Sequence, residues 1–368
     1  MTTSTMTFEV TRRPDPVPGD RRAEILAHPG FGKYFTDHML RATWRSGEGW
    51  GRGEVAAYRP FVLDPAAAVL HYAQEIFEGM KAYRHADGSI WTFRPEANAQ
   101  RFVRSATRLA LPTLPEEDFV ESLRALVEVD QAWVPEPAGG SETSLYLRPF
   151  MFASETFLGV RPAAEVTYSV IASPAGAYFA SGIKPVTLWV SSQYARAGAG
   201  GTGAAKCGGN YASSLAGQLE GSAHGCDQAV FLDSSTQTFI EELGGMNLFF
   251  VYQDGRIVTP ALSGSILEGV TRSSVLELGK ELGLDPEERQ VPMEEWKEGA
   301  RSGEIAEVFA CGTAAVVTPV GELRWEGGSA DHRRPGHVDE VALKIRAALL
   351  DIQYGRAEDA HGWLTRLV

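Results

Sequence analysis

Residues 195–211 read ARAGAGGTGAAKCGGNY, and what this stretch is for decides what the rest of the chain must be. Lys206 stands alone among Gly198, Gly200, Gly201, Gly203, Ala204, Ala205, Gly208 and Gly209, with no long neighbour to compete for space. Glycines let a backbone pass close to a ligand. A glycine-dense loop with a solvated lysine has the same composition, so density alone leaves both readings open. A phosphate-cradling P-loop does not fit: it needs Gly-Lys-Ser/Thr, whereas Lys206 follows Ala205 and precedes Cys207.

Outward from the lysine, the spacing predicts a helix in which Ala212, Leu215, Ala216 and Leu219 share a face, and a strand at 186–190 precedes the glycines. Further on, QAVFLD and TFIEE flank a polar turn, and NLFFVY and RIVTP flank Gln253-Asp254-Gly255. IAEVFA leads into a Gly-Thr-Ala turn, and helices are expected at 273–284 and 338–352. In the first half, Asp87-Gly88 between KAYR and SIWTF signals a hairpin. Phe102, Ala106 and Leu109, then Phe119, Leu123, Leu126 and Val127, recur at helical spacing after Pro95. Strands return at 144–150 and 165–172.

The expected layout is a polar arm over 1–25, a smaller α/β domain over 26–175, a linker over 176–185 and a larger domain over 186–368. A chain of 368 residues suits two domains at the usual ~100 to 200 residues each. Thirty-four Lys plus Arg against 47 Asp plus Glu leave a formal charge of -13, which would repel a phosphate polyanion and argues against nucleic acid. Cys207, Cys226 and Cys311 form no Cys-x-x-Cys pair, so zinc-ribbon and redox spacings are missing and no metal is expected. With no apolar stretch near the ~20 residues of a membrane span and no secretory h-region, a cytoplasmic protein without membrane contact is expected.

Several residues could carry chemistry. A lysine desolvated or set beside another cation is the usual imine-forming nucleophile, and pyridoxal phosphate is the cofactor that needs one. In FIEELGGMNLFF the adjacent Glu241 and Glu242 should point to opposite faces of a strand, one inward, where a carboxylate would keep a pyridine nitrogen protonated. Arg101, with Arg94 and Arg104 near it, could grip phosphate oxygens. Tyr146 and Arg148, two apart in SLYLRPF, would share a strand face and could bind a carboxylate. CGTAAVVTP could offer Thr313 and backbone amides to an anion. Phe31, Tyr72, Phe77 and Tyr178 could be core or pocket wall.

Together, HYAQEIFEGMKAY, FRPEANAQRF, TSLYLRPF, GAYF, AAKCGGNYA, EELGGMN, SILEGVTR and FACGTAAVVTP resemble, in order and separation, the branched-chain amino-acid aminotransferases of pyridoxal-phosphate fold type IV. The resemblance runs from FGKYFTDHM to IQYG. It implies a two-domain α/β (α+β) architecture with pyridoxal 5'-phosphate at the domain interface, a homodimer, and ping-pong exchange between branched-chain amino acids and 2-oxo acids. By the same resemblance Lys206 is the catalytic, cofactor-bearing lysine, Glu242 the partner of the pyridine nitrogen and Tyr211 the partner of the ring hydroxyl. Arg101, the backbone of Val270 and Thr271, and Thr313 are the phosphate ligands. Thr313, Ala314 and Tyr146 form the α-carboxylate site, with Phe31, Tyr72, Phe77 and Tyr178 around the side chain and Arg148 as the partner of a γ-carboxylate.

Two departures stand out. Ala315 and Thr318 occupy the positions of the mammalian members' Cys-x-x-Cys pair, and Gly245 stands where those members have threonine. D-amino-acid aminotransferase and aminodeoxychorismate lyase are the nearest alternatives within the fold type. An inactive homologue is the alternative from another class, and it would have no reason to keep Lys206, Tyr211 and Glu242 together.

Overall fold

The structure of the protein, a computed structural model, describes residues 6–136, 142–176, 183–333 and 337–368. The chain folds into two compact units, one of Met1–Ala180, Ala205–Gly208 and Asp351–Val368, the other of Ser181–Ala204 and Gly209–Leu350.

The first unit carries β1 (Phe8–Val10), α1 (Gly19–Ala27), β2 (His38–Arg45), β3 (Gly49–Trp50), β4 (Gly53–Ala57), α2 (Val69–Tyr72), β5 (Glu75–Phe77), β6 (Met80–Arg84), β7 (Ile90–Phe93), α3 (Pro95–Arg108), α4 (Glu116–Val129), β8 (Ser144–Ala153) and β9 (Glu165–Ala175). The second has β10 (Val186–Ser191), α5 (Gly208–Ala223), β11 (Gln228–Leu232), β12 (Phe239–Leu243), β13 (Asn247–Tyr252), β14 (Arg256–Pro260), α6 (Val270–Glu281), β15 (Asp285–Arg289), β16 (Val291–Pro292), α7 (Met293–Ser302), β17 (Ile305–Gly312), β18 (Val316–Trp325), β19 (Gly328–Asp331) and α8 (Glu340–Gln353). The chain then returns to the first unit with β20 (Leu364–Arg366).

Each unit is built on one mixed sheet. The first runs β1-β4-β2-β9-β8-β6-β7-β20, the second β15-β14-β13-β17-β18-β10-β11-β12-β16. The turn at Asp87-Gly88 closes β6 on β7, with Gly88 at φ 86, a left-handed conformation that glycine takes without strain. Helices α3 and α4 bury Phe102 against Phe119, ring centroids 5.3 Å apart, over a core that includes Trp133 and Tyr168. In the second unit β13 is buried along its whole length, as its unbroken apolar sequence predicts, and Phe249 stacks on Phe309.

The layout differs from the expected one in two ways. Residues 6–25 lie largely at the surface but are anchored to the fold: β1 pairs in parallel with β4, Met6 N–H donates to the buried Asp118 carboxylate at 3.0 Å, and Gly53 leaves the room that the Phe8 ring fills. The N-terminal unit is the larger, because Ala205–Gly208 and the C-terminal tail belong to it, the tail through β20 pairing with β7. Most of the expected linker, 177–182, lies outside the described residues. The α5 face bearing Leu215 and Leu219 is indeed one face, but it is exposed (60% and 72%). Ser214, Gly217 and Gly221 are the buried side, since a Cβ at Gly217 would collide with Phe231.

The turn from β11 into β12 hangs on Asp233, whose carboxylate accepts the N–H groups of Thr236, Thr238 and Phe239 at 2.7 to 2.8 Å. Burial alone would raise this carboxyl, but those donors win and hold it at about 2, against an ordinary 3.8. Its stabilisation is therefore full above pH 3.8 and lost as pH falls through about 2. Asp233→Ala should cost about 2 kcal/mol near neutrality and much less near pH 2, as read by urea melts at both pH values.

Candidate active site

Lys206 is seated by backbone bonds on both sides. Its N–H donates to Ser105 Oγ at 2.9 Å, its carbonyl accepts the Phe77 N–H at 3.0 Å, and two residues on Gly208 N–H donates to Glu75. The side chain of this half-buried lysine lies with Nζ 4.9 Å from the Phe77 ring centroid. Burial, helped by the nearby Arg101 guanidinium and offset by Glu78, brings its ammonium from 10.5 down to about 8. This is the environment that makes a lysine nucleophilic near neutral pH.

Arg101 lies on the buried face of α3 and meets Glu78 in a two-point ion pair, Nε to Oε1 and Nη2 to Oε2, both 2.8 Å. Asn98 Nδ2 adds a bond to Oε2 at 2.7 Å. Burial alone would raise the Glu78 carboxyl, but Arg101 beside it keeps it below the usual carboxylate range. Of the other two arginines considered with Arg101, Arg94 stacks over Trp363 and Arg104 is exposed. Glu75, Glu78 and Ser105 have no counterpart in the sequence reading, although two carboxylates three apart in the apolar run QEIFEG were a usable signal.

Strand β8 turns Leu145 and Leu147 into the core and Tyr146 and Arg148 to the opposite face, as alternation requires. Arg148 Nη2 donates to the Tyr146 hydroxyl at 3.0 Å, and its guanidinium sits 4.7 Å from the Phe77 ring. Gly79 faces the Tyr146 hydroxyl, which a side chain there would displace. Phe31, Phe35, Tyr146, Arg148, Ile171 and Ser173 line a cavity of about 250 Å³. Arg148 Nε is buried there without a hydrogen-bond partner, a donor suited to an incoming anion. Tyr72 is not part of that wall; its hydroxyl donates to the Leu158 carbonyl. Tyr178 lies outside the described residues.

In the second unit Glu241 and Glu242 do point to opposite sides of β12, yet both are buried, which corrects the expectation that one faces outward. Ser263 and Ser265 hydroxyls donate to Glu241, whose carboxyl burial pushes up. Glu242 is held by Arg196 Nη1 and the Leu267 N–H, both 2.8 Å, and by Asn247 Nδ2 at 3.3 Å. Arg196, overlooked in the sequence although it sits inside the glycine-rich stretch, also lies over the Tyr211 ring at 5.9 Å. A Cβ on Gly245 would stand 3.4 Å from that ring, in ordinary contact with it. Part of the glycine density has a structural cause, because the Ser265 backbone presses on Gly203 so closely that any Cβ would overlap it.

Helix α6 starts at Val270 and Thr271 behind Gly269, whose lack of a side chain leaves the helix end without a side-chain cap. Such an end favours anions. Thr313 and Ala314 occupy the tip between β17 and β18, where they are half-buried. Cys311, beside this tip, is buried, and burial pushes its thiol from 9.0 up to about 12. At pH ~8 its thiolate fraction falls by about 10³ relative to an ordinary cysteine. Peptide mass mapping after iodoacetamide should find Cys311 unmodified in the native protein and alkylated once it is unfolded in urea.

The Amino-transferase class IV family matches residues 75–323. The branched-chain-amino-acid aminotransferase of Mycolicibacterium smegmatis is 54% identical over 373 residues, covering 100% of both chains, and branched-chain-amino-acid transaminase 1 of Bacillus subtilis is 44% identical over 335 residues, covering 91% of this chain and 93% of that one. Among solved structures, the Escherichia coli branched-chain amino acid aminotransferase aligns with a TM-score of 0.72 at 29% identity over 89% of this chain and 99% of that one. The branched-chain amino acid aminotransferase of T.th. with pyridoxamine 5'-phosphate aligns at 0.70 and 31%, over 89% and 98%. With a desolvated lysine, a buried carboxylate and an uncapped helix end already in place, these likenesses fix the family: the chain belongs to the class IV aminotransferases, among the branched-chain-amino-acid aminotransferases.

Proposed function

We propose that this chain moves the amino group of L-leucine, L-isoleucine or L-valine to 2-oxoglutarate, yielding the branched 2-oxo acid and L-glutamate, with pyridoxal 5'-phosphate as cofactor. The observation that carries the reading is the seat of Lys206, a backbone held by Ser105 and Phe77 and an ammonium lowered to about 8. When bound, the cofactor supplies an aldehyde that captures the substrate amine and a ring that accepts the electron pair left at the α-carbon.

The chain's own residues do the rest. Lys206 Nζ, once neutral, would take the proton from the substrate α-carbon and deliver it to the carbon that the cofactor's aldehyde supplies. The Glu242 carboxylate, fixed by Arg196, Leu267 and Asn247, would hold a proton at the pyridine nitrogen. The Tyr211 hydroxyl serves the ring oxygen. Arg101, its plane set by Glu78, holds phosphate together with the amides of Val270 and Thr271 and the Thr313 hydroxyl. Tyr146 with the amides at Thr313 and Ala314 takes the α-carboxylate. Phe31, Phe77 and Tyr178 are assigned to the aliphatic side chain.

Arg148 resolves a conflict of substrates. One pocket must take both an isobutyl group and a γ-carboxylate, and a guanidinium stranded against the former would cost several kcal/mol. Here Arg148 leans on Tyr146 and Phe77 at the cavity wall, so leucine leaves it paired and glutamate can engage its Nε. The protein is proposed to act in the cytoplasm as a homodimer; exposed Leu215 and Leu219 supply apolar surface for a second copy. Among the described residues no helix is long and apolar enough to cross a membrane.

The visible spectrum of the cofactor-loaded protein tests the assignment. L-Leucine alone should bleach the cofactor band and 2-oxoglutarate should restore it. A band indifferent to leucine would remove the substrate assignment, and absence of any band after adding pyridoxal phosphate would remove the role of Lys206. Arg148→Ala should lower kcat/KM for 2-oxoglutarate by about 100-fold, the value of a charged hydrogen bond, while single-turnover rates with leucine change by less than about threefold. Equal losses would contradict the role given to Arg148.

A further inference from the structure

The tip between β17 and β18 contains a backbone conflict. Gly312 pairs with Val316 across the hairpin, leaving Thr313, Ala314 and Ala315 as the loop, and Val316 has φ 62. A three-residue hairpin loop calls for a left-handed residue after its turn, and glycine ordinarily supplies it. A β-branched side chain there crowds the backbone, so the conformation persists only where its surroundings impose it. Val316 is buried, as are Ala315 and Val317.

What imposes it comes from α8. Arg346 is buried, and its Nη1 donates to the carbonyl of Ala315 at 2.8 Å and to that of Val317 at 3.3 Å, the two carbonyls that bracket Val316. One charged donor atom therefore fixes the chain just before and just after the strained residue. The helix is itself tied to β17, since Glu307 accepts the N–H groups of Val341 and Ala342, both at 2.9 Å, in the first turn of α8. Strand, helix, guanidinium and loop thus form one continuous clamp.

We propose that Arg346 is a positioning residue for the substrate carboxylate: by holding Val316 left-handed it sets the direction in which the Thr313 and Ala314 amides point. The inference rests on the reading of that tip as the α-carboxylate site. Amides bind an anion only where they converge. If Val316 relaxed toward an extended φ, the peptide before it would rotate and carry the loop with it. Arg346 touches no substrate, so its loss should weaken binding of every carboxylate substrate alike and leave the chemistry itself little changed.

The test uses the holoenzyme and four variants, Arg346→Met, Arg346→Lys, Val316→Gly and the double variant Arg346→Met/Val316→Gly. KM for leucine and for 2-oxoglutarate, Kd for 4-methylvalerate, which has the carboxylate and branched tail without the amine, and Tm are measured. Arg346→Met should raise all three constants about tenfold with kcat within about twofold, and lower Tm. Arg346→Lys should recover part of the loss. Added to Val316→Gly, the same Arg346→Met change should raise the constants by less than about twofold, because glycine keeps the left-handed turn unaided. Unchanged constants in Arg346→Met, or an equal penalty in the glycine background, would overturn the proposal. Should Arg346→Met fail to fold, rescue of folding by Val316→Gly supports the clamp and failure of rescue overturns it. A mistaken carboxylate site has a different signature: flat constants in both Tyr146→Phe and Arg346→Met, with Val316→Gly still restoring the lost Tm.

Discussion

A carboxylate with no exposure to solvent, Glu78, faces the guanidinium of Arg101 in the middle of the first unit, and the lysine chemistry depends on that balance. Two charges taken out of water are a poor means of gaining stability, since desolvation offsets most of their attraction. Their value here is positional. The pair fixes the plane of Arg101 on α3, and its opposite charges pull the Lys206 ammonium in opposite directions, Arg101 down and Glu78 up. With burial added, the amine lies close enough to neutrality to react and is still basic enough to carry a proton.

Much of this was legible in the residues. Alternation alone put Tyr146 and Arg148 on one face of β8, and the hydrogen bond between them bears that out. The isolated lysine among small residues was visible too, as were the hairpin at Gly88 and the two helices after Pro95. What stayed hidden was every partner that reaches its target through tertiary contact. Glu78 meets Arg101 across 23 positions, Arg196 lies 46 before Glu242 in the chain, and Arg346 reaches back to Ala315 from a later helix. Local periodicity carries no information about such pairs. The anchoring of residues 6–25 stayed hidden for a related reason: they are largely exposed, as their polarity suggests, but Met6 and Ile25 tie them into the core.

The second unit shows how little side chain is needed where backbone does the holding. Gly203 under Ser265, Gly217 under Phe231 and Gly269 beside Asn247 are places where any Cβ would collide, so the glycine content follows partly from close packing of the chain on itself. At Val316, by contrast, a β-branched residue occupies a left-handed position and a buried arginine supplies what a glycine would have given for free.

The pairing of β20 with β7 has a kinetic meaning. Residues 364–366 complete a sheet whose other strands end at Ala175, and Lys206 docks into that same unit through Ser105, 101 positions earlier. During synthesis the first unit's other strands therefore emerge early, Lys206 follows a little past the middle of the 368 residues, and the edge strand β20 comes only at 364–366. Closing such long loops is entropically slow. A product cut before residue 364 would hold an open edge along β7, in the same sheet whose β5 carries Phe77 against the Lys206 carbonyl, so the lysine's seat forms on a sheet that is still unfinished.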